Sequence, residues 1–327
     1  KAWWYIPRGI LSFDDQKGTQ GTDHYVAPNP PFGAVLTYYL KDGLKTKEAL
    51  RKESEVPLRK QNKNIPFPGW DALEAERRQG TPHIWLTIKD ASGNVVRKIE
   101  GPVGKGFHRI AWDLKYPSVD AIRLDASSPT SSSGLMAAPG TYTASLSKQV
   151  DGVVTELSKP ITFTVEPLRP NVLAGATPAA AAEFWRKYEK AARNSSGLSI
   201  RLDNALKKIA AMEKALTQTT AAPGNLEKEM YALRQELLEL NKQLNGDGPK
   251  QEVGEKSKPV ISQRLFAVSR SIYHSTYGPT ETASHSLEIV ETEIKDIDNK
   301  LTTTTNKMKA VSNSLKEAGA PWVEGDF

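Results

Sequence analysis

Few residues in this sequence have the types and spacing that chemistry requires. The sequence contains five histidines, which fall on segments predicted as loops, strands and helices: His24, His83, His108, His274 and His285. None belongs to an HExxH motif or forms an i, i+4 pair with a second histidine, the spacing that places two metal ligands on one helix face. Asp14, Asp15 and Asp23 lie near His24 without metal-site spacing, and we interpret them as loop residues. We therefore predict no metal site.

Nucleophile, phosphate and thiol chemistry are not indicated either. The sequence has no GxSxG or P-loop motif. It has no cysteine, which excludes a disulfide framework, thiolate metal sites and thiol catalysis. Gly101, Gly104 and Gly106 lie between two predicted strands and lack the following helix whose N-terminus would bind a phosphate. We expect no catalytic residue and no cofactor in this chain.

The N-terminal segment is where side chains indicate recognition. Trp3, Trp4, Tyr5 and Tyr25 lie there beside a proline cluster that holds the backbone extended. We favour an interpretation of residues 1–32 as an extended strap that packs on a neighbouring domain, so that these aromatics are interface residues. The alternative is a carbohydrate platform, because exposed Trp and Tyr rings stack on the faces of sugars.

Charge and hydropathy argue against nucleic acid binding and against a membrane-spanning segment. The net charge is +6, but residues 41–63 hold eight basic and four acidic side chains, so +4 of the excess lies in one segment. No aromatic residue is interleaved there to stack on bases, and we do not expect nucleic acid binding. No run approaches the roughly 20 apolar residues that cross a bilayer. The chain begins with Lys1 and no initiator Met, from which we expect a processed or excised piece of a longer protein.

Period-two patterns predict a β-rich first half. Ile84, Leu86 and Ile88 alternate with Trp85, Thr87 and Lys89, as in a strand with one buried face. About seven strands are predicted over residues 33–166: 33–40, 83–89, 95–99, 107–112, 138–146, 153–157 and 161–165. Strands of this number and spacing are typical of a β-sandwich.

The charged stretch 41–79 is predicted to be an insertion between two of these strands. It should hold a helical piece near 46–55, followed by irregular connections at Val56-Pro57 and at residues 65–70.

Apolar spacings of three and four predict helices after residue 176. Thr177-Pro178 is a cap followed by proline at the first helical position, and a helix of about 40 residues should follow, weakened at Gly197. Three more helices are expected after Pro223-Gly224, over about 259–273 and over about 279–316. Their leucine-rich seams are narrow and need partner helices, which predicts an antiparallel four-helix bundle.

Four segments resemble the Ig-like sandwich of the flagellar hook-capping FlgD type: NPPFGAVLTYYL, LTIKDASGNVVRKI, GFHRIAWDL and APGTYTASL. From APNPPFGA to Gly319-Ala-Pro-Trp322 the chain is similar to the C-terminal part of bacterial sortilin-like, BNR-repeat proteins. Those proteins carry large N-terminal β-propellers and are often labelled glycosyl hydrolases. The resemblance implies export to the periplasm, cell surface or medium. The sequence contains no propeller, so no catalytic residue is carried over.

We therefore predict two domains, one all-β and one all-α. An Ig-like antiparallel β-sandwich should occupy residues 33–167, with 41–79 inserted, and an antiparallel four-helix bundle residues 176–320. The predicted function is a non-catalytic C-terminal accessory region that supports or docks a β-propeller of the same protein, or binds an envelope protein. Two alternatives stay open: part of a BNR-repeat glycosyl hydrolase, or a sugar-binding module that uses the N-terminal aromatics.

Overall fold

The computed structural model describes residues 1–5, 31–124, 133–169, 174–220, 224–273 and 275–325. It combines helices with a curled sheet of strands. Its packing divides the chain into two compact units, the first formed by Lys1–Pro117 with Met136–Leu173 and the second by Ser118–Leu135 with Ala174–Phe327. Within the described ranges, no helix is both long and apolar enough to cross a bilayer.

The strands of the described residues are β1 Ala2–Trp4, β2 Ala34–Leu40, β3 His83–Asp90, β4 Val95–Gly101, β5 Gly106–Trp112, β6 Lys115–Pro117, β7 Ser133–Met136, β8 Gly140–Val150, β9 Val153–Glu156 and β10 Ile161–Pro167. The main sheet of the first unit has the order β1-β10-β8-β3-β4, with β9 paired to β8. Its ladders are antiparallel except β1–β10, which is parallel. Strands β2 and β5 form a separate antiparallel ladder.

Buried side chains alternate with more exposed ones along β3 and β8, and the buried ones form the core of the first unit. Ile84, Leu86 and Ile88 are buried, which confirms the face that their spacing predicts. Leu86 lies opposite Leu146 of β8, and Ile88 opposite Ala144, which are also buried. Cross-strand apolar pairs of this kind are the main source of sheet stability.

Trp112 anchors this core from the end of β5. Its side chain is fully buried. The ring packs edge-on against Tyr142 at a centroid distance of 5.0 Å and against Phe163 at 6.1 Å. The indole Nε1 donates to the Lys115 carbonyl at 2.9 Å, so its polar atom is satisfied.

The insertion after β2 is a pair of helices, α1 Lys47–Lys60 and α2 Trp70–Arg78. Thr46 caps α1 by accepting from the Ala49 amide at 3.1 Å. The break predicted at Val56-Pro57 is wrong, because α1 continues through Pro57 to Lys60. Pro57 is exposed, so water can replace the backbone hydrogen bond that proline cannot make. Helix α2 was not predicted.

The helices of the second unit, within the described residues, are α3 Pro178–Leu216, α4 Leu226–Asn245, α5 Gly248–Glu252, α6 Ile261–Ile272 and α7 Glu281–Glu317. The four longer ones, α3, α4, α6 and α7, lie where the spacing predicts them, and α3 runs through Gly197 without a break. Thr177 and Thr280 cap α3 and α7 by accepting from Ala180 and Ala283 amides at 3.2 Å.

These four longer helices bury their seams against one another. Each of them packs on the other three. Leu237 of α4 and Leu301 of α7 are fully buried, as the heptad spacing predicts. Because each of these four helices has an apolar stripe covered by its neighbours, side-chain packing rather than helix propensity holds them together.

Candidate functional site

The strongest candidate surface in the described residues is one face of the β2–β5 ladder, which we name the outer β2–β5 face. Side chains alternate between the two sides of each strand, and the register brings the outward ones into pairs. Its members form three cross-strand pairs: Val35 with Ala111, Thr37 with Arg109, and Tyr39 with Phe107. Four of the six are apolar or aromatic, although a strand face in contact with water is usually polar.

The exposure of the outer β2–β5 face is unusually high for large apolar side chains. Val35 is 44% exposed, Tyr39 53% and Phe107 79%. The rings of Tyr39 and Phe107 are 4.8 Å apart between centroids, so they form one contiguous aromatic surface. Contiguous apolar surface of this kind is typical of a binding face.

The inner side of β2 holds this face in place. The Tyr38 hydroxyl donates to the Pro102 carbonyl at 2.6 Å, and burial raises the pKa of Tyr38 above its ordinary value, so the phenol keeps its proton. Gly101 lies directly against it, because a Cβ at this position would be 2.5 Å from the Tyr38 hydroxyl oxygen. Tyr38 therefore fixes β2 to the end of β4.

A cleft of about 570 Å³, lined by both apolar and polar side chains, borders β2. Its apolar lining includes side chains of β2, β3 and β8, of the segment after β9 and of the first residue of β10: Leu36, Leu40, Leu86, Leu146, Leu157 and Ile161. Leu157 and Ile161 are 41% and 55% exposed, so they form an open rim. The cleft offers space for apolar side chains next to the outer β2–β5 face.

The structure places the predicted N-terminal aromatics in different environments. Trp4 is 4% exposed, and its Nε1 donates to the Ala137 carbonyl at 2.9 Å. Trp3 is 47% exposed, and Tyr5 is 37% exposed with its ring edge-on to Phe32 at 5.0 Å. Tyr25 lies outside the described residues. Trp4 thus belongs to the interior of the first unit, while Trp3 and Tyr5 reach its surface.

The histidines that the structure describes make local contacts. His83 Nδ1 lies 2.5 Å from Glu100 Oε1, and His108 Nε2 lies 2.7 Å from the Gly104 carbonyl. His285 faces Glu288 at 3.7 Å, and both side chains are exposed. His24 and His274 lie outside the described residues. Where the structure is described, it contains no group of three metal-binding side chains.

A buried carboxylate in the second unit was not predicted from the sequence. Glu189 of α3 is 6% exposed and accepts a hydrogen bond from the Leu135 amide at 2.6 Å. It also pairs with Arg186. Burial raises the pKa of Glu189, and burial likewise raises the pKa of the adjacent Tyr188 to about 12. Glu189 therefore anchors β7 to α3, a structural task that its charged sequence neighbourhood does not signal.

Comparison of this chain with protein-family models, curated proteins and solved structures finds no match. Function must therefore be inferred from the surfaces described above.

Proposed function

We propose that this chain is a non-catalytic accessory region that binds a protein partner through the outer β2–β5 face. The observation that carries the proposal is the exposed Tyr39–Phe107 pair, on a strand face to which Val35 and Ala111 add further apolar side chains. Interfaces concentrate their binding energy in a few aromatic anchors surrounded by weaker contacts. Arg109, exposed beside this pair, supplies a residue type that is enriched in interfaces.

We further propose an Ig-like β-sandwich for the first unit and an antiparallel four-helix bundle for the second. The inward side chains of β2, Tyr38 and Leu40, are buried, as expected where a two-stranded layer packs on a larger sheet. The mutual packing of α3, α4, α6 and α7 supports the bundle. In this arrangement the outer β2–β5 face is the solvent side of the smaller layer.

The proposed partner is a β-propeller encoded upstream in the same exported bacterial protein, or another envelope protein. The support is the sequence resemblance together with the position of the face on a preformed sheet. A sheet face needs little rearrangement on binding, which lowers the entropic cost of association. The cleft beside β2 would receive apolar side chains of the partner.

The experiment is a binding measurement with the polypeptide encoded immediately upstream of Lys1, produced separately. We expect the two pieces to associate, and Phe107→Glu to weaken the association by about tenfold or more, because a charge replaces an aromatic anchor. Phe266→Glu is the matched control, since Phe266 is 62% exposed on α6 of the second unit. Association that survives Phe107→Glu, or that only Phe266→Glu disrupts, would contradict the proposal.

A second candidate function is sugar binding by the N-terminal aromatics. Trp3, at 47% exposure, is the observation in its favour. The burial of Trp4 weakens it, because only part of the aromatic set then reaches the surface. The hydrolase alternative has no corresponding observation among the described residues.

A further inference from the structure

The loop between α1 and α2 presents a second apolar surface, independent of the outer β2–β5 face. We name residues Ile65–Trp70 the hairpin tip. Phe67 is 61% exposed and Trp70 77% exposed, and their rings meet edge to face at 5.0 Å. Ile65 adds a third exposed apolar side chain. A Cβ added at Gly69, between Phe67 and Trp70, would meet no atom within 4 Å, so the backbone there borders open space. Clustered apolar side chains that are exposed in this way mark an interaction site.

The hairpin tip is conformationally restricted. Pro66 and Pro68 fix their own φ angles on both sides of Phe67. Gly69 has φ 91°, in the left-handed region where a side chain would be strained, and it directly precedes α2. The Lys63 amide donates to the Leu58 carbonyl at 3.0 Å, which closes the end of α1. The backbone that carries the apolar side chains is therefore restricted before any partner arrives.

An ion cluster holds the two helices of the hairpin together. Arg51 of α1 binds Glu76 of α2 through two hydrogen bonds, at 2.7 and 2.9 Å. Arg51 also donates to Glu55 at 2.6 Å, and Arg59 donates to the second oxygen of Glu55 at 3.0 Å. Bidentate pairs of this kind fix orientation as well as distance. The ion pairs therefore fix α1 and α2, which carry the hairpin tip, relative to each other.

Basic side chains precede the hairpin tip in sequence. Lys60 and Lys63 are exposed, and among the described residues neither forms a salt bridge. Arg59 lies beside them, and Asp71 is the acidic residue next to Trp70. The charged residues that flank the tip in sequence are thus net positive, and Lys60 and Lys63 are available to an external anion.

We propose that the hairpin tip inserts into the interface of an anionic phospholipid bilayer. Phe67 and Trp70 would lie at the level of the headgroups, where aromatic side chains with polar neighbours partition favourably. Lys60 and Lys63 would contact lipid phosphates, which attract basic residues next to a membrane-inserting segment. Exposed aromatic side chains with unpaired lysines a few residues away in sequence match the apolar interior and the anionic headgroups of such a bilayer.

The experiment is co-sedimentation of the full chain with large vesicles, either of phosphatidylglycerol and phosphatidylcholine in equal parts or of phosphatidylcholine alone. We expect binding to the anionic vesicles only. The double variant Phe67→Ser with Trp70→Ser should lower binding by about tenfold or more. The double variant Lys60→Glu with Lys63→Glu should lower binding to anionic vesicles by more than about fivefold per lysine. The binding that remains should no longer depend on salt concentration. Circular dichroism of each variant checks that it is folded.

Trp322→Ser is the matched control, because Trp322 is 74% exposed in the second unit and lies under Lys316, 4.6 Å from the ring centroid. It should bind anionic vesicles like the original chain. The proposal is overturned by absent binding, by equal binding to both kinds of vesicle, or by tip variants that bind normally. Loss of association with the upstream polypeptide in the tip variants, without vesicle binding by the original chain, would assign the tip to a protein partner instead.

Discussion

Two adjacent leucines of α4 offer a direct test of the helix packing. Leu237 is fully buried, whereas Leu238, its neighbour in sequence, is 42% exposed. Leu237→Ala and Leu238→Ala remove the same atoms from the same helix, and the change in helix propensity is the same in both variants. Any difference between the two variants therefore reports the burial of the side chain alone.

The expected magnitudes follow from that burial. Removing a fully buried leucine costs about 2–5 kcal/mol, from lost transfer energy and from the cavity left behind. A partly exposed leucine whose site water can fill should cost about 1 kcal/mol or less. For a unit of this size, 1 kcal/mol corresponds to about 2–4 °C in Tm, so a loss of about 3 kcal/mol from Leu237→Ala should lower Tm by about 6–12 °C.

The assay is thermal and urea unfolding of the full chain, followed by far-ultraviolet circular dichroism, which is dominated by the helices. An unchanged urea m-value would show that the difference is one of stability and not of the unfolded state. Similar small shifts for both leucines, or a larger one for Leu238→Ala, would refute the packing, because α4 would then present a different face to its neighbours.

Two further predictions concern the first unit. The Arg51 guanidinium lowers the pKa of Glu76 below its ordinary 4.5. The ion pair therefore stabilises the fold above that pH, and this stabilisation is lost as the pH falls through the lowered pKa. Amide hydrogen exchange in Trp70–Arg78, corrected for intrinsic rates, should accelerate in acid, and Arg51→Ala should show the same acceleration at neutral pH. The second prediction separates partner binding from sugar binding. If the chain binds a protein partner, a panel of soluble glycans should cause no saturable change in its tryptophan fluorescence. A saturable change that Trp3→Ala abolishes would support sugar binding instead.

Much of the fold follows from periodicity. The alternation of Ile84, Leu86 and Ile88 predicts β3 and its buried face, and the heptads predict the helices that contain Leu237 and Leu301. These signals work because a regular element repeats its environment at a fixed interval. Helix α2 gives no such signal, since it has nine residues and buries none of them completely.

The candidate binding surfaces are harder to predict from the sequence than the helices and strands. Tyr38 and Tyr39 are adjacent and chemically alike, and only the packing of β2 shows that Tyr38 faces inward and Tyr39 outward. The alternation of a strand defines two faces but does not say which one another layer will cover. Trp4 illustrates the same limit, because its burial depends on β10 and Ala137, more than a hundred residues away in sequence.

Segments of the two units alternate along the chain, and this affects how the units fold during synthesis. The ribosome produces Ser118–Leu135, part of the second unit, before it has made β8, β9 and β10 of the first. The Leu135 amide cannot reach Glu189 until α3 has emerged, and β1 cannot pair until residue 167 is available. Both units thus depend on contacts between distant segments, which slow folding and leave apolar surface open meanwhile. For the same reason, no single cut in the chain would separate it into two intact units.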